Sequence, residues 1–297
     1  YKMKLIKLII LKSLFYISYC NIIEKVAIIT GGTRGIGYGI SNSLAKRGYN
    51  LLLTYNTNRE IALISKKNLE NRYNISVVLV GGDLSKKQTR DLIYDIYDNR
   101  YGGKYELSAI INNAGQYIGV TSDNCENLNR ELLILGDGLE ANYNNDKFRR
   151  LRYYQKLYGD AYIDMCERGL HRMNNSGSLI GISSPGCNLL YNPQPGYALP
   201  GIGKTIMEYS MRLIALESGK KNINCNVLVP GAIKTEAWDN IKNKTGNSGY
   251  EMITRMQPMG EILPNDIGEI VGFLCSKEGK YITGLSIPVD SGLHLRA

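Results

Sequence analysis

The chain has 297 residues, 43% of them apolar, enough to build a buried core and to exclude a wholly disordered chain. Its formal charge of +9 comes from lysines and arginines spread along the sequence, with no long basic run. That pattern reads as solvated surface and not as a nucleic-acid interface, though a positive field also suits a cofactor carrying several phosphates. The six cysteines form no C-x-x-C pair and there are only two histidines, which argues against a zinc site and for free thiols in a reducing, cytoplasmic setting.

Met3 to Cys20 reads MKLIKLIILKSLFYISYC, a basic start and an apolar stretch in the manner of a signal peptide or membrane anchor. Lys7 and Lys12 interrupt the run before it reaches the length of a membrane span. Residues 1–23 are therefore expected to be an appendage, and a single domain is expected over residues 24–297. From Lys25 the pattern becomes regular. Val26–Thr30 is a short β-branched run that predicts a buried strand. A glycine-rich turn and a helix ending near Gly48 follow. Asn50–Thr54 predicts a second strand, Arg59–Asn71 a helix, and Ser76–Val80 a third strand. Ser85–Asp98 predicts a helix with Ser85 as its N-cap. Further strands are expected at Ser108–Ile111, Ser178–Ile182, Ile223–Val229 and Ser286–Val289. Helices are expected at about Phe148–Arg172, Tyr197–Ser218 and Pro264–Ser276. Strands alternating with helices predict an α/β fold: a Rossmann-type, doubly wound parallel sheet in a single domain.

The segment Thr30–Gly37, TGGTRGIG, lies between the first strand and the first helix. Gly31 allows the tight turn, Gly35 lets the backbone approach a pyrophosphate, and Gly37 permits close packing of helix on strand. The helix N-terminus offers unpaired N–H groups and a positive partial charge to the phosphates. The second strand ends in Leu53-Thr54-Tyr55-Asn56-Thr57-Asn58-Arg59, with no carboxylate before Glu60 to bond an NAD ribose or repel a 2′-phosphate. With Arg34 in the turn and Arg59 nearby, the expected cofactor is NADP(H).

TGGTRGIG, Gly82-Asp83-Leu84 and Asn112-Asn113-Ala114-Gly115 together resemble the short-chain dehydrogenase/reductase family. So do Ile182-Ser183-Ser184, Pro230-Gly231-Ala232-Ile233-Lys234-Thr235, Pro258-Met259-Gly260, and the closing Ile282-Thr283-Gly284 and Val289-Asp290-Ser291-Gly292. The motifs keep the family's order over about residues 24–295. The resemblance implies a cofactor cradle that includes Gly31, Thr33, Arg34, Gly35, Ile36 and Gly37. It implies that Asp83 approaches the adenine, with Leu84 and Tyr55 beside it, and that Asn113, Ala114 and Gly115 line the cofactor. Thr235 would bond the nicotinamide carboxamide, at the end of a loop containing Pro230, Gly231 and Ile233. Asp83 also suits a turn, and Thr235 a helix N-cap. The resemblance further implies a small-molecule substrate, an acyl thioester being one option, and a homodimer or homotetramer.

Hydride transfer to a carbonyl creates an alkoxide, so such a site needs an acid and donors aimed at that oxygen. The family uses Ser, Tyr and Lys. Here Ser184 ends a predicted strand and Tyr197 follows thirteen positions later, a spacing similar to that of the family's ketoacyl reductases. The usual lysine position, four after the Tyr, holds Gly201; Lys204 stands seven after it. Two helical turns keep Tyr197 and Lys204 on one face, where both can reach the cofactor ribose. The Tyr-x6-Lys spacing resembles the enoyl-acyl-carrier-protein reductases, in which the Ser is dispensable, and Tyr191 is then a candidate second tyrosine. Spacing thus leaves carbonyl and enoyl reduction both open. Pro200 is expected to kink or delay the helix. The family's relay Asn has no equivalent; Gln155 or Lys156 stands nearest its place. Gln116–Phe148 is longer than usual for the family and reads as an inserted loop near the substrate mouth. Gly201 and Pro200 also motivate an alternative, a catalytically weak NADP-binding relative with a regulatory or scaffolding role.

Overall fold

The computed structural model describes residues 24–116, 146–193, 197–245 and 249–296. The segment 1–23 and most of the expected insertion lie outside the described residues. Seven strands form one parallel sheet: β1 (Lys25–Thr30), β2 (Asn50–Tyr55), β3 (Val77–Gly81), β4 (Glu106–Asn112), β5 (Gly177–Ile182), β6 (Ile223–Pro230) and β7 (Ser286–Val289). Their order is β3-β2-β1-β4-β5-β6-β7. The strand order reverses between β1 and β4, where Thr30 is in register with Asn112, and such a switch point opens a crevice beyond the carboxyl ends of the strands.

The five inner strands β1, β2, β4, β5 and β6 are buried on both faces, which is why they read as continuous apolar runs, while the edge strands β3 and β7 are partly exposed. Val26, Ile28 and Leu52 face one core, and Ala27, Ile29, Leu51 and Leu53 face the other. The second core is covered by α1 (Gly35–Lys46), α2 (Arg59–Tyr73) and a late helix, α9 (Pro264–Leu274). The first is covered by α3 (Lys87–Arg100), by α4 (Asp146–Tyr154) and α5 (Ala161–Leu170), and by α6 (Ala198–Gly219). Between α4 and α5 the helix runs through a π-helical turn at Gln155–Asp160. Two short helices, α7 (Glu236–Thr245) and α8 (Tyr250–Met256), follow β6.

Two sequence expectations are corrected. Ser85 is not the N-cap of α3; that place falls to Lys86, because the Asp83 carboxylate accepts the Ser85 N–H at 2.9 Å and makes residues 83–85 a turn. Pro200 neither kinks nor delays α6. It is the third residue of the helix, in the first turn, where a missing N–H breaks no helical bond. No helix among the described residues is long and apolar enough to cross a membrane.

Candidate active site

The glycine turn sits at the end of β1, against the end of β4. Gly31 adopts φ +62° and donates its N–H to Thr54 Oγ1 at 3.0 Å, tying the turn to β2. Thr30 Oγ1 accepts the N–H groups of Asn113 and Ala114, both at 3.0 Å. Asn113 Nδ2 donates back to the carbonyls of Thr30 and Gly31 at 3.1 and 3.0 Å. A Cβ on Gly37 would collide with the Gly31 carbonyl and Asn113, so this residue fits only as glycine. Thr33 is buried, with its carbonyl accepting from Ser65 Oγ at 2.7 Å. Asn113 is thus a brace of the turn as well as part of its wall.

The turn fits a dinucleotide. No side chain caps α1 and no acidic residue lies in its first turn, so its N-terminal N–H groups face outward without competition. Gly35, at φ +52°, looks across at the Thr235 methyl, 3.5 Å from where a Cβ would stand; a side chain there would fill the cradle. Ile36 is half-buried beside it, and Arg34 is exposed. Past β2, Thr57, Asn58, Arg59 and Glu60 line an open concavity. Tyr55 is half-buried under Gly81. Leu84 is buried, and Asp83 forms the turn already described, so the turn reading of Asp83 holds without excluding contact with a base.

The loop after β6 is fixed from both sides. Gln257 Oε1 accepts the Ala232 N–H at 2.7 Å, and the Gly231 N–H donates to the Val289 carbonyl at 3.1 Å. Ile233 pairs with Ile262 as an isolated parallel bridge. Pro230 ends the strand and Thr235 directly precedes α7.

Ser184 lies two residues past β5 and Tyr197 at the N-cap of α6. Their hydroxyl oxygens are 3.1 Å apart. Lys204 is buried, and its Nζ donates to the Ile182 carbonyl at 3.1 Å. Burial lowers its pKa to about 8, partly offset by Cys187 and Glu208. Tyr191 is not a second tyrosine of this group: its hydroxyl donates to Asp290 Oδ2 at 2.8 Å. Neither Gln155 nor Lys156 serves as a relay. Gln155 accepts from Arg152 at 2.7 Å, and Lys156 is exposed.

Two buried carboxylates hold this region: Glu208, which sequence reasoning missed, and Asp290, which it quoted only as part of the closing motif. Glu208 accepts from Ser183 Oγ, from Asn188 Nδ2 at 2.8 Å and from Ser286 Oγ at 2.8 Å, joining α6 to β5, the β5–α6 loop and β7. Asp290 accepts from Tyr191, from the Gly292 N–H at 3.0 Å and from the His294 N–H at 2.7 Å. The only sequence signal of Glu208 was polarity in otherwise apolar surroundings.

The sheet order and the glycine turn at its switch point place the protein in the Rossmann dinucleotide-binding class. A family model described as "Enoyl-(Acyl carrier protein) reductase" matches residues 143–294, just over half of the chain. The chain belongs to the short-chain dehydrogenase/reductase family, a family of oxidoreductases. It is 26% identical over 281 residues to the uncharacterized oxidoreductase YmfI of Bacillus subtilis, covering 91% of this chain and 99% of that one. It is 27% identical to a diacetyl reductase [(S)-acetoin forming] of Staphylococcus epidermidis, over 92% of this chain and all of the other. Its fold matches the crystal structure of YwfH, an NADPH dependent reductase involved in bacilysin biosynthesis. That match has a TM-score of 0.73 at 23% identity, over 91% of this chain and 98% of that one.

Proposed function

We propose that this protein is an NADP(H)-dependent reductase of carbonyl compounds, with Ser184, Tyr197 and Lys204 as its catalytic residues. The observation that carries the reading is the 3.1 Å approach of the Ser184 and Tyr197 hydroxyls, which brings two O–H donors to one point beside the end of β5. A carbonyl oxygen that becomes an alkoxide needs such a convergence. When bound, NADPH supplies the hydride. Tyr197 gives its proton to the developing alkoxide, Ser184 donates a hydrogen bond to the same oxygen, and the product is the alcohol. Lys204 brings a cation to the Tyr197 face of α6, which eases loss of the tyrosine proton.

The glycine cradle from Gly31 to Gly37, the Asn113–Gly115 segment and the Pro230–Thr235 loop would hold the dinucleotide. Exposed Arg34 and the absence of a carboxylate at the end of β2 favour the 2′-phosphate. The YwfH likeness accords with this, since that protein is described as NADPH dependent. Enoyl reduction is the second reading, favoured by the seven residues from Tyr197 to Lys204 and by the description of the matching family. The scaffolding alternative loses one of its two motives, because Pro200 is accommodated in the first turn of α6, and keeps the other, Gly201 at the usual lysine position. We read the chain as a homodimer or homotetramer, in keeping with Tyr209, Leu213 and Leu216, 62%, 52% and 71% exposed along α6. Its buried free thiols, Cys166, Cys187 and Cys225, suit a reducing, cytoplasmic setting.

The test is NADPH oxidation against small ketones, diketones, 3-ketoacyl thioesters and enoyl thioesters. Turnover of ketones that collapses in Ser184→Ala supports the reading. Turnover confined to enoyl thioesters and indifferent to Ser184→Ala replaces it with the second.

A further inference from the structure

We propose that Tyr158 is the positioning residue for Lys204, its ring holding the lysine ammonium while its hydroxyl fixes the cofactor-lining segment after β4. Tyr158 lies in the π-helical turn Gln155–Asp160, where the backbone leaves α geometry. Single π turns inside α-helices gather at functional sites because they re-aim side chains. Here the turn leaves Gln155 and Lys156 outward and buries Leu157 and Tyr158.

The π turn and α6 approach closely. A Cβ on Gly203 would stand 2.5 Å from the Tyr154 carbonyl oxygen and 3.2 Å from Tyr158 Cδ2, and one on Gly159 would stand 2.8 Å from Ile206 Cγ2. That approach sets the Tyr158 ring against Lys204, with Nζ 5.0 Å from the ring centroid. An ammonium at this distance from an aromatic face is attracted by the ring quadrupole, more so when desolvated. Among the described residues the groups facing Lys204 include the Ile182 carbonyl from β5, the Cys187 thiol from the β5–α6 loop, Glu208 one turn along α6, and Tyr158. Glu208 is already engaged by three donors. Tyr158 is therefore the partner that the π turn brings to this cation.

The hydroxyl end of the same side chain does a second task. It accepts the Gln116 N–H and donates to the Gln116 carbonyl, both at 3.1 Å. One side chain thus links the segment Asn113–Gln116, at the cofactor wall, to the lysine on α6. A tyrosine that only filled the core would need neither contact.

The inference rests on Lys204 acting in the site as proposed above, and the experiment separates the two. The full chain is labelled with [13Cε]lysine, and Lys204 is titrated by NMR without added cofactor, its signal assigned by loss in Lys204→Met. Two variants of nearly equal shape are compared, Tyr158→Phe and Tyr158→pentafluorophenylalanine, the second with a reversed ring quadrupole. Tyr158→Phe is expected to titrate within about 0.2 pH unit of the parent, and the fluorinated variant about 0.5–1 unit lower. Coincident titrations of the two variants overturn the ring's role. Tyr158→Phe should also weaken NADPH binding by about 3- to 10-fold through the freed Gln116 backbone, and unchanged affinity overturns the hydroxyl's role. Full turnover in Lys204→Met would instead sink the catalytic reading, whatever the titration shows.

Discussion

Ser184 and Tyr197 bring their hydroxyls within 3.1 Å of each other although thirteen positions of chain separate them. The described part of the intervening loop, up to residue 193, is pinned at three places. Thr205 Oγ1 donates to the Cys187 carbonyl at 3.0 Å, Asn188 donates to Glu208, and Tyr191 donates to Asp290. The pair is held by its surroundings before any substrate arrives, which is what a site for developing charge requires.

Tyr197→Phe is expected to leave NADPH affinity unchanged and to reduce turnover by about 100- to 10,000-fold, since only the transition state needs its proton. Steady-state kinetics with a fluorescence titration of the cofactor checks this. A variant with parental turnover would end the assignment.

Lys204 carries a stability cost. Its pKa falls from 10.5 unfolded to about 8 folded. Below pH 8 the lysine is protonated in both states and the burial penalty is fully present. Between pH 8 and 10.5 the folded state releases the proton first, so stability rises with pH. Lys204→Met should be more stable than the parent at pH 7, by up to about 3 kcal/mol, with the advantage shrinking above pH 8. Urea unfolding at pH 7 and 10 measures it. Turnover in the parent should fall as pH rises through about 8, when the cation is lost.

Arg34→Ala should weaken NADPH by about 1.5–3 kcal/mol and hardly touch NADH, because a guanidinium meeting a phosphate forms a charge-assisted bond. Equal losses for the two cofactors would place the 2′-phosphate elsewhere.

Tyr191→Phe should keep turnover within a few-fold but lower stability by about 1–2 kcal/mol, since it leaves the buried Asp290 carboxylate short of one donor. Thermal unfolding beside kinetics tests this; a collapse of turnover with unchanged stability would return Tyr191 to the chemistry.

A chain starting at Ile23 should fold and bind cofactor. Glu24 is already tied in, its carbonyl accepting the Glu106 N–H at 2.9 Å and its carboxylate accepting from Asn50 at 2.7 Å. An insoluble product would show that the preceding residues belong to the fold.

The seven strands and the glycine turn were legible because local rules govern them: β-branched runs for buried parallel strands, and left-handed glycines where the chain must turn sharply. Ser85 misled because the Asp83 carboxylate competed for its backbone. The short helix α8 escaped notice, and α7 was signalled only by Thr235 as a possible N-cap. Tyr158 could not be found by counting back from Ser184, because the π turn changes which residue of the helix faces Lys204. Glu208, Asp290 and Gln257 act across more than twenty residues of chain, and no periodicity announces a contact of that reach.

The Asp290 cluster also sets an order of events. Tyr191, in the loop between Ser184 and Tyr197, is fastened by a carboxylate 99 positions downstream. On a ribosome the residues of the β5–α6 loop emerge long before their anchor is synthesised. This last anchor of the loop can therefore close only once β7 and the residues around Asp290 have been made, so the loop that carries Tyr191 is completed at the end of synthesis.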